Sequence, residues 1–412
     1  MSSSTHLIRN ATVIAGDSVV PGGWLLIENG KITDLGVKGA EPSGVQQTVD
    51  LLGNYLLPGF VDVHVHGGGG QSFGADPEAN AAVSRFHAAG GTTSLLAGIT
   101  TAPKPVMIDG ATVLGSAVDV EGGARILGLH LEGPFISLTR KGAHNPSQIR
   151  PPDAQELSSL NSAAQGKVRL VTAAPEIHGF DDLLREATLE TVLIGAGHTD
   201  ATGEQLLSAI DAGVKSLTHT FNGMRPVSHR SPAVLQAIVD SDVMCEIICD
   251  GLHVHPTFVR MLRQLVGPER VVLITDAVAW AGLGDGEYSS GERRVEVVGG
   301  RVVLVGTETL AGSTLTMAEA FRLYVQFTGA SICEASKAAS TNPARLLGED
   351  SRIGTIRVGL DADLVVLDKD LACVGVMGRG EWFPAFDVDK LVPAHSDIGD
   401  VAQCPCNGET TL

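Results

Sequence analysis

The side chains that could do chemistry in this chain are six ligand-type residues that each close a short apolar run. His64 and His66 end Phe60-Val-Asp-Val, Glu132 follows Leu127-Gly-Leu-His-Leu, and Asp276 follows Val271-Val-Leu-Ile-Thr. His198 and His219 stand just past two further runs, near 191–196 and 215–218. His64 and His66 are two apart, so on a strand both imidazoles point the same way and can grip one divalent cation. A lone His-x-His occurs by chance on surface strands, but here it ends an apolar run that needs a reason to carry it. A carboxylate such as Glu132 at the end of a buried strand is costly unless neutralised. A structural salt bridge would neutralise it, and so would a metal shared with His198 and His219. An ionised Asp276 beside a water activated by metal could take that water's proton, which is hydrolytic chemistry. A helix cap or an ion pair is the plainer reading of Asp276, but its position at the end of the eighth run favours catalysis.

Other groups fit around such a centre. His253 and His255 form a second His-x-His that could compete for metal. A donor role toward a carbonyl oxygen suits His253 better, and a local structural role suits His255. Asp62 shares the face of His64 and His66 and could back them as an acceptor. His130 shares the parity of Glu132 and reads as a supporting histidine. Asn222 and Gly223 fall just past a run, where backbone N–H groups can hold an anion, and Arg230 could add a fork of donors for phosphate. Taken alone, those residues favour a plain Asn-Gly turn with a solvated arginine. His6, His87, His178, His229 and His395 belong to no such pattern.

These residues converge only if their strands share one end. From about 58 to 348 the chain repeats β-rich runs that end at Gly, His or Asp, each followed by helical composition. The eight runs lie near 60–65, 93–97, 126–131, 168–173, 191–196, 215–218, 244–249 and 271–275. Pro77 to Ala89, Gly203 to Ala212 and Pro256 to Val266 read as helices. Eight such units predict a (β/α)8 TIM-like barrel, which gathers all strand ends on one face. An open doubly wound sheet is the alternative, but Gly67 to Gly70 lacks the spacing of a dinucleotide loop. The fourth run ends without a lysine, so a carbamylated-lysine bridge between two metals is not available there, and Glu132 could bridge instead.

The chain ends read differently. Residues 7 to 57 alternate apolar runs with turns, and Asn29-Gly30 is a hairpin signal. Residues 353 to 368 again read as strands. The expectation is a small β-sandwich domain made from 1–57 and 349–387, the barrel over 58–348, and a polar tail over 388–412. The segment Ala281 to Gly312, with strands at 294–298 and 301–305, reads as an insertion near the barrel mouth.

Composition is compatible with this. The 412 residues are 43% hydrophobic with 50 glycines and 19 prolines, and aromatics are only 4%, so Ala, Val, Leu and Ile must fill the core. Lys and Arg total 29 and Asp and Glu total 47, giving 29 − 47 = −18, which disfavours a nucleic-acid partner. No apolar stretch is long enough for a membrane and no secretory signal is visible, so a cytoplasmic location is expected. Cys245 and Cys249 read as core thiols, Cys404 and Cys406 sit in the polar tail, and no cysteine spacing marks a zinc knuckle.

The order of motifs resembles a known family. Leu57-Pro-Gly-Phe-Val-Asp-Val-His-Val-His66 is similar to the first barrel strand of the amidohydrolase superfamily. Leu131-Glu-Gly-Pro-Phe135, Lys141-Gly-Ala-His-Asn145, Gly197-His-Thr199, Thr218 to Met224, Asp250-Gly-Leu-His253 and Thr275-Asp-Ala277 together resemble the N-acetylglucosamine-6-phosphate deacetylases within it. Thr341-Asn-Pro-Ala-Arg345 and Ala362-Asp-Leu-Val-Val366 match the closing region, so the likeness runs from about 7 to 370.

The resemblance implies that Glu132, His198 and His219 hold one metal and that His64 and His66 add a second, with Zn first and Fe, Mn or Co as alternatives. It implies that Asp276 is the general acid/base and that His253 polarises the acetyl carbonyl. His144, Asn222, Gly223 and Arg230 would contact sugar and phosphate, Arg230 from the other subunit of a homodimer. Gly223 departs from the Ala common among relatives, but the contact there would be made by backbone. The implied reaction frees acetate from a phosphorylated N-acetyl amino sugar. Alternatives are the galactosamine epimer, a cyclic-amide substrate, or a non-catalytic scaffold on the same fold. A scaffold should lose ligands, and this chain keeps every ligand type.

Overall fold

The computed structural model describes residues 5–45, 47–290 and 293–386. The expected tail over 388–412, with His395, Cys404 and Cys406, lies outside the described residues, as does residue 387.

Eight strands form the centre: β1 (Phe60–Val65), β2 (Thr92–Thr100), β3 (Arg125–Glu132), β4 (Val168–Ala173), β5 (Leu193–Ala196), β6 (Ser216–Leu217), β7 (Met244–Ile248) and β8 (Val271–Ile274). Each is parallel to the next in chain order. The ring closes by backbone bonds between β8 and β1. Asp276 N–H donates to the His64 carbonyl at 2.8 Å, and His66 N–H to that of Ala277 at 2.8 Å. A closed parallel ring with helices outside is the TIM-like barrel, and closure excludes the open-sheet alternative. β1, β7 and β8 bury nearly every residue, as strands covered on both faces must.

The helices start where local chemistry sets them. Pro77–Ala89 begins with Asp76, whose side chain accepts from the Ala79 N–H. Gly203–Ala212 opens on a capping box between Thr202 and Gln205. Pro256–Val266 is capped by His255, whose Nδ1 accepts from Thr257 N–H at 3.2 Å.

The ends of the chain meet in one eight-stranded sheet. Thr5–Ala15 pairs with Ser18–Glu28, Gln47–Asp50 and Tyr55–Pro58. Tyr55–Pro58 also pairs with Leu364–Leu367. Ile8, Leu25, Leu56, Leu364 and Met377 share its core. Asn29 and Gly30 both have positive φ in the tight turn between Ser18–Glu28 and Lys31–Gly36. Tyr55–Pro58 runs straight into β1 through Gly59, where a Cβ would fall 2.2 Å from the Thr93 hydroxyl. The strand reading of 353–368 holds only for Leu364–Leu367. Residues 354 and 359 are glycines with φ of 91° and 92°, which break extended backbone into turns. A hairpin of Cys373–Gly378 and Glu381–Trp382 follows, unmarked by any alternation in the sequence.

The segment after β8 forms a four-stranded antiparallel sheet of Gly286–Ser290, Arg293–Val298, Arg301–Leu304 and Leu310–Ser313. A bridge between Ala277 and Ser313 fastens it to the end of β8. Gly67–Gly68 and Gln71–Ser72 form a small ribbon after β1.

Candidate active site

The barrel ends bring the six ligand-type residues into one buried cluster. His64 Nε2 lies 3.1 Å from His66 Nε2, and Asp276 Oδ1 lies 3.4 and 3.2 Å from those two atoms. Beside them, Glu132 Oε1 is 3.2 Å from His198 Nε2 and 3.1 Å from His219 Nε2. Two groups of candidate metal ligands result, His64/His66/Asp276 and Glu132/His198/His219, each with its ligand atoms within 4.8 Å of one another. The other oxygen of Glu132 faces His66 Nε2 at 3.3 Å, so this carboxylate lies between the groups.

The electrostatics call for cations. Burial opposes a charge on His64, yet Asp276, Glu132 and Glu246 raise its pKa well above the usual imidazole range. His66 is opposed by burial in the same way and is raised to about 9 by Asp276 and Glu132. Burial alone would raise Glu132, but His144 and the neighbouring imidazoles hold it well below the carboxylate range. Asp276 is likewise lowered despite its burial, chiefly by His64. Protons on imidazoles supply the positive charge that these carboxylates demand. Nitrogen and oxygen donors at this spacing suit divalent ions, so the residues fit a two-metal centre.

The surroundings orient the donors. His198 Nδ1 bonds to the Arg140 carbonyl at 2.7 Å, leaving Nε2 toward Glu132. Arg140 is itself held by Asp200 at 2.7 Å, and Arg225 grips the other oxygen of Asp200 at 2.9 Å. His253 Nδ1 lies 2.6 Å from Asp250 Oδ2. Burial lowers the pKa of His253, but that bond and the Asp250 charge raise it above the ordinary value. Asp62 accepts from Thr275 Oγ1 at 2.6 Å and from the His64 N–H at 3.2 Å. It therefore braces backbone between β8 and β1, and no imidazole ring is among its partners. Burial pushes its pKa up to about 6, against the Thr275 bond. His130 bonds to Thr172 Oγ1 at 2.8 Å, with its ring edge-on to His64. Burial and then the His64 charge drive its pKa far down, so it is neutral.

A cleft of about 270 Å3 opens over the cluster, and His144, Asn222, Gly223 and His253 line it with Asp276. His144 Nε2 stands 3.4 Å from Glu132 Oε2. The Asn222 N–H donates to the His219 carbonyl at 2.9 Å, and Gly223 takes φ 58°. Arg230 is exposed in the loop 225–232 and does not line this cleft. The last insertion strand lines it through Leu310, Ala311 and Gly312.

Several supporting groups escape a reading by strand ends. Arg140 acts through a carbonyl, which no side-chain pattern reports. Asp250 lies inside the Asp250-Gly-Leu-His253 motif, where its three-residue offset from His253 is the available signal. Glu246 lies within Met244-Cys-Glu-Ile-Ile, and a carboxylate inside such an apolar strand is the signal that could have found it.

Comparison with known proteins agrees with this geometry. The model of the amidohydrolase family matches residues 55–396. The N-acetylglucosamine-6-phosphate deacetylase of Bacillus subtilis is 33% identical over 380 residues, covering 91% of this chain and 96% of its own. The N-acetylgalactosamine-6-phosphate deacetylase of Escherichia coli O157:H7 is 35% identical, covering 92% and 99%. A variant of the N-acetyl-D-glucosamine-6-phosphate deacetylase of Mycobacterium smegmatis, solved with N-acetyl-D-glucosamine-6-phosphate, superposes with a TM-score of 0.86. It shares 38% identity over 93% of this chain and all of that one. With most of its length inside the family model and its barrel shared with those structures, this chain belongs to the amidohydrolase family.

Proposed function

We propose that this chain hydrolyses the N-acetyl group of N-acetyl-D-glucosamine 6-phosphate, giving D-glucosamine 6-phosphate and acetate in amino-sugar breakdown. The observation that carries the reading is Glu132, whose carboxylate lies between the two groups of metal ligands, in contact with His64 and His66 on one side and His198 and His219 on the other, beside Asp276 and His253. The substrate class comes from the names of the similar enzymes.

Glu132, His198 and His219 would hold one ion and His64, His66 and Asp276 the other, with zinc the first choice for such donors. The bound metal supplies Lewis acidity that activates water and polarises the amide carbonyl. Asp276 accepts the water proton as the new C–O bond forms. His253, its Nδ1 held by Asp250, donates toward the amide oxygen. Asp276 then gives its proton to the departing nitrogen as the C–N bond breaks. His144, Asn222 and the Gly223 backbone hold the sugar and its phosphate. Arg230, placed outside its own cleft, reaches the phosphate of the partner subunit in a homodimer. The location is the cytoplasm, whose reducing conditions suit the free thiols of Cys245, Cys249 and Cys373. No described helix is long and apolar enough to cross a membrane.

A second reading replaces the substrate by its galactosamine epimer, which the 35% identical relative from Escherichia coli acts on. Acetate release from both epimers, with and without the 6-phosphate, tests the pair. Fastest turnover on the phosphorylated glucosamine derivative is expected. Turnover confined to the galactosamine derivative would replace the first reading with the second, and none on either would defeat both.

A further inference from the structure

Beneath the ligand cluster lies a polar floor that the reaction does not use directly. Its centre is Glu246 on β7, a carboxylate at 0% exposure in an otherwise apolar strand. Oε1 accepts from the Ser216 hydroxyl on β6 at 2.6 Å. Oε2 has no hydrogen-bond partner, and neither has Nδ1 of His64. These two buried atoms face one another at 3.6 Å. The opposite nitrogen of His64, Nε2, faces His66 and Asp276. Among the described residues, the Nδ1 atoms of His66 and His219 have no hydrogen-bond partner, and that of His198 faces a backbone carbonyl.

We propose that Glu246 is a positioning residue for the second metal ion, accepting the Nδ1 proton of His64 and so fixing Nε2 as the ligand atom. Two facts support this role over a purely structural one. A buried carboxylate oxygen left unpaired is expensive, and the His64 imidazole that faces it at 3.6 Å can donate to it. A partner on the second nitrogen of a ligand histidine also fixes its tautomer and orientation, so that the first nitrogen keeps its lone pair toward the ion. A tilt that shortens the 3.6 Å contact makes this hydrogen bond. The ring of polar contacts continues as Ser216 holds Glu246, while His130 stands edge-on to His64. The occupancy of the site on β1 is thereby set from β6 and β7. Strand spacing does not link these positions.

The inference rests on the two-metal reading. Metal-free full-length protein is titrated in zinc buffers, and ions per chain are followed against free zinc for wild type, Glu246→Leu and Glu246→Gln. Cobalt absorption and melting temperature are recorded in parallel. Loss of an outer partner lowers metal affinity by about 10–100-fold. In Glu246→Leu the second uptake step should therefore move to roughly 100-fold higher free zinc, with the first step unmoved. Glu246→Gln keeps one acceptor oxygen and should move it about tenfold. A folded Glu246→Leu that takes up both ions at wild-type free zinc overturns the proposal. Where that variant does not fold, an unmoved second step in Glu246→Gln overturns it. A wild-type chain that never exceeds one ion defeats the two-metal reading itself, and the proposal with it.

Discussion

Gly98 on β2 carries no side chain, yet it decides where His66 can sit. A Cβ at this position would fall 2.5 Å from His66 Nδ1, 2.9 Å from His66 Cε1 and 2.6 Å from the Val65 carbonyl oxygen. Comfortable contact begins at roughly 3.5 Å, so Gly98→Ala creates an overlap of about 1 Å on the ring. The Val65 oxygen belongs to a barrel strand, so relief requires the backbones of β1 and β2 to part locally, and the His66 imidazole must move as well. Overpacking of this kind costs about 1–3 kcal/mol of stability. Its effect on the site is larger, because ligand distances tolerate only about 0.2 Å of error. A displacement near 1 Å should empty the second metal position and lower turnover by about 100-fold. Elemental analysis, turnover per folded chain and a melting curve measure the three effects. Gly110→Ala, in the helix Lys104–Gly115, is the control. Its Cβ would meet nothing closer than 3.4 Å, and a helical Gly→Ala change should stabilise by about 0.5–1 kcal/mol. A Gly98→Ala chain with two ions and native turnover would show that His66 is not held as described.

Further outcomes follow from the same geometry. The double variant His64→Asn with His66→Asn should carry one divalent ion per chain where wild type carries two, and unchanged elemental analysis would remove that ligand assignment. Asp276→Asn keeps shape but cannot accept a proton, so turnover of the metal-loaded variant should fall by about 10²–10⁴-fold, and near-native turnover would overturn its role. Arg230→Ala should weaken use of the phosphorylated sugar by roughly 10- to 150-fold, the equivalent of about 1.5–3 kcal/mol, and spare the bare sugar. Equal loss on both would mark a structural arginine. Mixing those chains with Asp276→Asn chains should restore activity if Arg230 acts across a dimer. His87 is buried with Nε2 2.9 Å from the Gly67 carbonyl, and burial lowers its pKa from 6.5 to about 4. As pH falls through that window the unfolded chain takes up a proton that the folded chain refuses, so stability drops by up to about 3 kcal/mol. Denaturant curves at pH 7 and 4.5 should show a smaller drop for His87→Gln, and equal drops would argue against a neutral buried His87.

The parts of the site that were legible are those written at strand ends. His64, His66, Glu132, His198, His219 and Asp276 each break an apolar run, and eight repeats require those breaks to converge. The three predicted helices were legible because Pro and capping residues sit at their starts. The turns over 353–363 were not, since Ile, Val and Leu there suggest strand while two positive-φ glycines forbid it. The supporting layer was hidden for a different reason. Glu246, Ser216 and Thr172 come from three strands, and their contacts depend on the tilt of the closed barrel, whereas His130 was read as a supporting residue from its parity with Glu132. Arg140 contributes a carbonyl whose position depends on Asp200 and Arg225, remote from it in sequence.

The strand-end residues also sit on unusual backbone. His198, His219 and Asp276 have φ of 45°, 29° and 49°, in the left-handed region that side chains other than glycine rarely adopt. Each such residue costs on the order of 1–3 kcal/mol and persists only where neighbours over-determine it. The neighbours are identifiable. Ser137 N–H donates to the His198 carbonyl at 2.8 Å, Asn222 N–H to that of His219 at 2.9 Å, and Ser313 N–H to that of Asp276 at 2.9 Å. They come from three different segments beyond the strand ends. Ser313 belongs to the last strand of the insertion, and its hydroxyl also binds the Thr275 carbonyl. The insertion therefore does more than roof the cleft. It holds the peptide groups on both sides of the Asp276 Cα and so helps over-determine the strained conformation that aims the Asp276 carboxylate at His64 and His66.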